Sequence, residues 1–251
     1  MENRGAGQAS GQSGSAAGQQ YEPKNDYINA YTAKFNLEPN KAALVVVDMQ
    51  YATGSRHEGL GRRMKERGTE STVAYRFERI EQVVVPNIQK MLNFCRANGI
   101  RVMYVVIGSE LADYSDMPTH MRTLARDTNN RVGTRENEII DELKPIDGEP
   151  VVRKTTISAF SSSGFEILVR SMDVEQLMFT GVSTNMCVET TARDAADRGF
   201  QCVMLEDCLG AAKQEYHDAT LVTFQRLFGR VMSSEEAMKE LVPQREAIAA
   251  R

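Results

Sequence analysis

The chain has 251 residues, with Lys plus Arg at 30 and Asp plus Glu at 34, so its formal net charge is −4 with neutral histidine; that balance excludes a strongly basic nucleic-acid binder. Apolar residues at 41% and charged residues at 25% exclude collagen-like and wholly disordered chains. The longest aliphatic run, Ala42–Val47, falls far short of the roughly 18–20 residues of a membrane span. The N-terminus has no apolar signal region and no N-x-[ST] acceptor occurs, so a cytoplasmic protein with no membrane or nucleic-acid partner is expected. Four scattered cysteines, Cys95, Cys187, Cys202 and Cys208, form no C-x-x-C pair and read as free thiols.

Residues 1–20 consist mainly of Gly, Ser, Gln and Ala without apolar periodicity; ordering them costs entropy with little burial in return, which predicts a disordered tail. Residues 21–251 then read as a single domain without internal repeats. From residue 41, short β-branched runs alternate with helical stretches, the pattern of βα units around a parallel sheet buried on both faces. Strands are expected at Ala42–Asp48, Arg101–Ile107, Pro150–Arg153, Gln176–Thr180, Gln201–Leu205 and Gly229–Met232. A helix with Pro86 near its first turn ends at Asn98-Gly99, where Gly supplies a left-handed C-cap. Further helices are predicted over Glu136–Leu143, Phe165–Met172 (capped by Ser162 or Ser163), Met186–Arg198, Lys213–Phe228 and Glu235–Leu241, the last opened by a capping-box pattern at Ser233–Glu236. The expected fold class is α/β: a three-layer αβα, Rossmann-like arrangement with a six-stranded, mainly parallel sheet.

Open α/β sheets gather ligands outside the carboxyl ends of their strands. There the sequence offers Asp48-Met49-Gln50, Lys154-Thr155-Thr156 and Gly181-Val182-Ser183-Thr184-Asn185-Met186-Cys187. Cys187 enters the first turn of an expected helix, where free N–H groups and the helix dipole would lower a thiol pKa from about 8.5. The same turn can aim backbone N–H groups of Ser183 and Cys187 at a developing oxyanion. A structural, core-packed Cys is the bland reading of Cys187, a helix cap that of Asp48 and a surface lysine that of Lys154. Together they make a coherent machine in which a carboxylate takes the thiol proton, an ammonium holds the ion pair and the main chain receives the oxyanion.

The strings KAALVVVDMQ, VVRKTTISAF and FTGVSTNMCVETTARDAADRGFQCVMLEDCLGA resemble the signature blocks of the isochorismatase-like cysteine hydrolases. The resemblance implies a Rossmann-like fold, a Cys-Asp-Lys triad at Cys187, Asp48 and Lys154, a cis peptide at Val182-Ser183 and a homodimer or homotetramer. Cysteine at position 187 departs from true isochorismatases and points to C–N hydrolysis. The chain also lacks the D-x-H metal element of the similar nicotinamidases, so no metal and no cofactor are expected. The TNMCVETT block is most similar to the branch acting on ureido and carbamoyl compounds such as ureidoacrylate, biuret and N-carbamoyl amines. Another small amide, nicotinamide- or maleamate-like, is the alternative substrate; a non-catalytic binder or a thiol redox sensor on the same fold is the alternative class.

The stretch Ser55–Arg79 interleaves arginines with glutamates. It is either a solvated, mobile segment or a lid whose arginines, Arg56 foremost, bind a substrate carboxylate. Gln50, Tyr51, Phe160 and Asn185 are further candidates for the substrate pocket, Phe160 being equally compatible with the core.

Overall fold

The computed structural model describes residues 27–242; the tail expected over 1–20 lies outside them. Six strands form one parallel sheet: β1 (Ala42–Val47), β2 (Arg101–Ile107), β3 (Val151–Lys154), β4 (Gln176–Val182), β5 (Gln201–Gly210) and β6 (Arg230–Met232). Their order is β3-β2-β1-β4-β5-β6 and every pairing is parallel. The chain starts at the centre, winds outward through β2 and β3, then returns across β1 to β4. The switch point therefore falls between β1 and β4, where a crevice opens beyond the carboxyl ends.

Alternation along the strands sorts the core into two layers. Leu44, Val46, Tyr104, Met178, Val203 and Leu205 pack against the helices of one face. These are α3 (Ala74–Arg79), which runs through a π turn at Ile80–Val84 into α4 (Val85–Asn98), and α10 (Ser234–Leu241). Ala43, Val45, Val47, Met103, Phe179 and Met204 face α6 (Ala159–Ser162), α7 (Phe165–Ser171), α8 (Glu189–Asp197) and α9 (Gln214–Gln225). Every residue of β1 and of β4 is buried, the apolar run of β1 throughout and in β4 also the polar Gln176 and Thr180, whose side chains are hydrogen-bonded, whereas Val151 of the edge strand β3 is exposed.

Several sequence signals do their expected work. Gly99 caps α4 at φ 67°, and Ser233 and Glu236 exchange the reciprocal bonds of a capping box at α10. The expected serine cap of α7 is absent: its N-cap is Gly164, and Ser163 Oγ, one residue earlier, accepts from Phe165 N–H, 3.2 Å.

Two further expectations need correction. Glu136–Leu143 is not a helix but two 3-10 turns, Arg135–Asn137 and Asp141–Leu143. The backbone between them is taken up by an antiparallel bridge between Gln50 and Ile139, with Tyr51 N–H donating to Glu138 O and Ile140 N–H to Met49 O; a helix would need those groups itself. The helix expected over Met186–Arg198 begins only at Glu189, as α8, with Met186 outside helical geometry at φ −134° and ψ −105°. Ser55–Arg79 carries α2 (Gly59–Glu66), a 3-10 turn at Glu70–Val73 and α3. Three helices were not foreseen beside these, α1 (Tyr51–Gly54), α6 and α5 (Thr119–Asp127), the last burying Met121 and Ala125 one turn apart.

Candidate active site

Asp48 ends β1 in the left-handed region, φ 51°, a conformation that Asp tolerates better than most residues. Its N–H still donates to Val105 O, 2.8 Å. Beyond Asp48 the chain leaves the sheet, so Ile107 at the end of β2 takes its partner from a side chain: Gln50 Oε1 accepts from Ile107 N–H, 2.9 Å, and Gln50 Nε2 donates to Ile107 O, 2.9 Å, and Asn137 O, 2.8 Å. Gln50, a candidate pocket residue, is fully buried by these bonds.

Lys154 is the last residue of β3, and its ammonium donates to Asp48 Oδ2, 2.9 Å, and to Thr156 O, 3.1 Å, with both charged groups buried. The loop that presents Thr156 is held by Ser162 Oγ, which accepts from the N–H groups of Thr155 and Thr156. Asp48 Oδ1 is buried and accepts no hydrogen bond, while the Cys187 thiol is close enough to interact with both Asp48 and Lys154. Asp48, Lys154 and Cys187 are thus brought together, from three strands, at one rim.

Cys187 follows β4 in a tight turn. Gly181 has φ 104°, and a Cβ there would collide with the carbonyl oxygen of Val47, so only glycine lets β4 lie this close to β1. The Val182-Ser183 peptide is cis, at the bond the resemblance implied. Residues Thr184–Val188 form a π turn ahead of α8, with the N–H groups of Met186 and Val188 both donating to Ser183 O. Cys187 is half-buried, packed against both the small cluster of Ile107, Tyr114, Met117, Met121 and Ala125 and the second core layer.

The electrostatics correct one expectation. Burial, then the Asp48 carboxylate, push the Cys187 thiol up to about 12, with Lys154 opposing, the reverse of the lowering expected from a helix end. Burial likewise raises the Asp48 carboxyl, against the pull of Lys154. Desolvation drags on the Lys154 ammonium, but Asp48 and Cys187 outweigh it and its pKa is raised. The carboxyl of Asp48 and the ammonium of Lys154 are thus both shifted upward by their shared burial and contact, beside the thiol of Cys187.

The remaining candidates are more dispersed. Tyr51 is buried, its hydroxyl accepting from Asp141 N–H, 3.1 Å, and its ring lying under Arg135. Arg56 is gripped by both Glu81 oxygens, 2.9 and 2.8 Å, on the surface. Phe160 packs edge-on against Phe165, ring centroids 5.1 Å apart, within the second core layer. Asn185 is half-buried in the nucleophile turn. Sequence reasoning missed Arg76, a buried arginine that donates to Ser183 Oγ, 2.7 Å, and twice to Thr53 O. Its signal was available: Arg76, Ile80, Val84 and Ile88 recur every fourth residue, so a charge stands in an apolar stripe. Also missed was His217, buried between Arg79, 3.0 Å from its Nε2, and Thr184 Oγ1, 3.0 Å from its Nδ1. Arg79 can only donate, so Nδ1 carries the proton and holds Thr184 in the nucleophile turn. Among the described residues no three His, Cys, Asp or Glu side chains are grouped to hold a metal ion, and no helix is long and apolar enough to cross a membrane.

A doubly wound parallel sheet with an acid, an ammonium and a thiol converging at its switch point defines a class of α/β hydrolytic sites. Residues 42–236 match the Isochorismatase domain, and the chain belongs to the isochorismatase family of hydrolases. It is 30% identical over 213 residues to the ureidoacrylate amidohydrolase RutB of Rhizobium rhizogenes, covering 78% of this chain and 81% of that protein. Against RutB of Pseudomonas syringae pv. syringae it is 31% identical over 215 residues, covering 80% and 83%. Its fold superposes on a cysteine hydrolase from Pseudomonas syringae pv. phaseolicola with a TM-score of 0.69 at 25% identity, over 83% of this chain and 96% of the other.

Proposed function

We propose that the protein is a metal-independent cysteine amidohydrolase that cleaves the C–N bond of a small linear ureido or carbamoyl compound and releases ammonia. The observation that carries this reading is the buried contact of Asp48 with Lys154, with the Cys187 thiol close enough to interact with both. The ureidoacrylate amidohydrolases among the relatives support the substrate class.

In this mechanism Asp48 removes the thiol proton as Cys187 Sγ attacks the carbonyl carbon. The tetrahedral oxyanion is received by the N–H groups of Ser183 and Cys187. Asp48 returns the proton to the departing nitrogen, ammonia leaves, and a thioester or thiocarbamate remains on Cys187. A water deprotonated by Asp48 then releases the acid and restores the thiol. Lys154 stays charged throughout, holding Asp48 Oδ2 so that Oδ1 faces the nucleophile. The working unit in this reading is a cytoplasmic homodimer or homotetramer whose partner in catalysis is the small molecule alone.

The test is ammonia release from a panel of ureido and carbamoyl compounds, small amides and nicotinamide, with Cys187→Ala alongside and chelator in one arm. Release from a ureido or carbamoyl compound that vanishes in the variant and ignores chelator is expected. Turnover of nicotinamide alone, stopped by chelator, would overturn both the substrate and the metal assignments.

A further inference from the structure

Charge at the rim does not balance. The buried charged side chains among the described residues are Asp48, Lys154 and Arg76. Asp48 and Lys154 neutralise each other. Arg76 is 95% buried, from a relative exposure of 5%, and its three hydrogen bonds all go to neutral oxygens, Thr53 O twice and Ser183 Oγ once. No carboxylate among the described residues pairs with it. Thr53 in turn donates through Oγ1 to Asp48 O, 2.7 Å, so Arg76 is clamped between the turn that follows Asp48 and the turn that carries Cys187. A guanidinium has five N–H donors, and two of them, one on each terminal nitrogen, are left for a ligand. Isolated buried cations are costly and are kept where an anion arrives to meet them.

We propose that Arg76 is a specificity-determining residue that selects a substrate bearing a carboxylate, through an uncompensated guanidinium fixed beside the nucleophile turn. The carbamoyl or ureido part of that substrate rests on the function proposed above; the demand for negative charge rests on Arg76 alone. Arginine suits the task because its planar fork matches a carboxylate and stays charged in a dry site. Burial draws its pKa down to about 10, with Cys187 opposing, which leaves it a cation at neutral pH. Neutral carbamoyl compounds would leave the excess charge unmet and be turned over less efficiently.

The experiment needs no knowledge of the natural substrate. Cys187 is alkylated with iodoacetate, which is anionic, and with iodoacetamide, its neutral analogue, and the rates are read from the mass of the peptide containing Cys187. Relative to 2-mercaptoethanol, the iodoacetate-to-iodoacetamide rate ratio is expected to be about tenfold higher in the wild type. Arg76→Gln should abolish that preference and Arg76→Lys should keep most of it. A wild-type ratio no higher than that of the free thiol, or one unchanged in Arg76→Gln, overturns the proposal. Should Arg76→Gln fail to fold, the wild type alone decides: propionate must protect Cys187 from iodoacetamide better than propionamide does, and equal protection overturns the proposal. An iodoacetate preference without ammonia release from any ureido or carbamoyl compound would sink the proposed reaction and leave Arg76 standing. Equal kcat/KM for matched carboxylated and neutral ureido compounds would do the reverse.

Discussion

Removing the ammonium from the buried pair tests whether the site is held by the electrostatics described. In Lys154→Met the apolar stem is largely kept and the charge is lost. Lys154 Nζ lies 2.9 Å from Asp48 Oδ2 with both groups buried, and at an effective dielectric of about 20 a pair at that spacing attracts by about 6 kcal/mol. The ammonium's own desolvation disappears with it and offsets part of this, so the expected loss of stability at neutral pH is about 3–5 kcal/mol. Asp48 Oδ1 already lacks a hydrogen bond, so the stranded carboxylate has one remedy, protonation, and its already raised pKa must climb further. A carboxyl whose folded pKa is raised binds its proton more readily folded than unfolded. The variant therefore regains stability as pH falls from that raised value toward the ordinary carboxylate value of about 4. Urea denaturation of both proteins from about pH 8 to about pH 5 should show the gap narrowing toward acid. Alkylation of Cys187 at neutral pH should slow in the variant, because protonated Asp48 no longer accepts the thiol proton. A stability gap of constant size across the range would refute the reasoning.

Cys187→Ala should leave the denaturation midpoint within about 1 kcal/mol of wild type while abolishing ammonia release; residual turnover above a tenth of wild type, taken as a rough threshold, would remove Cys187 from the role of nucleophile. Gly181→Ala should cost about 3 kcal/mol or more, seen as lost soluble protein or a lowered Tm, since the added Cβ meets Val47 O at a φ of 104°. His217 titrates in the folded protein at about 4, held down by burial and then by Arg79. A depressed histidine stabilises above its unfolded value of about 6.5 and loses that contribution as pH falls toward about 4. His217→Gln should accordingly flatten the fall in Tm across that window, and an unchanged fall would place the acid sensitivity elsewhere.

The central strands were legible because β1 and β4 are buried on both faces and so are rich in apolar, β-branched residues; β1 is apolar throughout, and Asp48 stands out where it stops. Asp48, Lys154 and the Gly181–Cys187 turn were found by that contrast and by the resemblance of the surrounding blocks. Glu136–Leu143 misled because its helix-compatible spacing is overruled by the bridge to Gln50, a partner 89 residues away from Ile139 in the chain. Arg76 was overlooked among neighbouring arginines, although it alone continues the apolar stripe of Ile80, Val84 and Ile88. Arg56 and Arg76 differ only in that one meets Glu81 at the surface and the other is drawn between Thr53 and Ser183. The thiol's raised pKa was invisible for the same reason: helix polarity can be read from a string of residues, whereas the desolvation that defeats it belongs to the assembled rim.

The amide of Gln50 answers a problem that any catalytic strand end must face. Turning Asp48 into the left-handed region bends the main chain out of the sheet one residue too early, which would strand the last N–H of β2. A side-chain amide has the same donor and acceptor as a peptide group, and Gln50 supplies a prosthetic one: it mimics the missing residue of β1 toward Ile107 and fastens Asn137 with the same atoms. The neighbouring loop is thereby anchored at its root, independently of what its outer residues are. Such a joint frees the outer residues of that loop from any duty to β2, so that substitutions there should leave the carboxylate, the thiol and the lysine in their places.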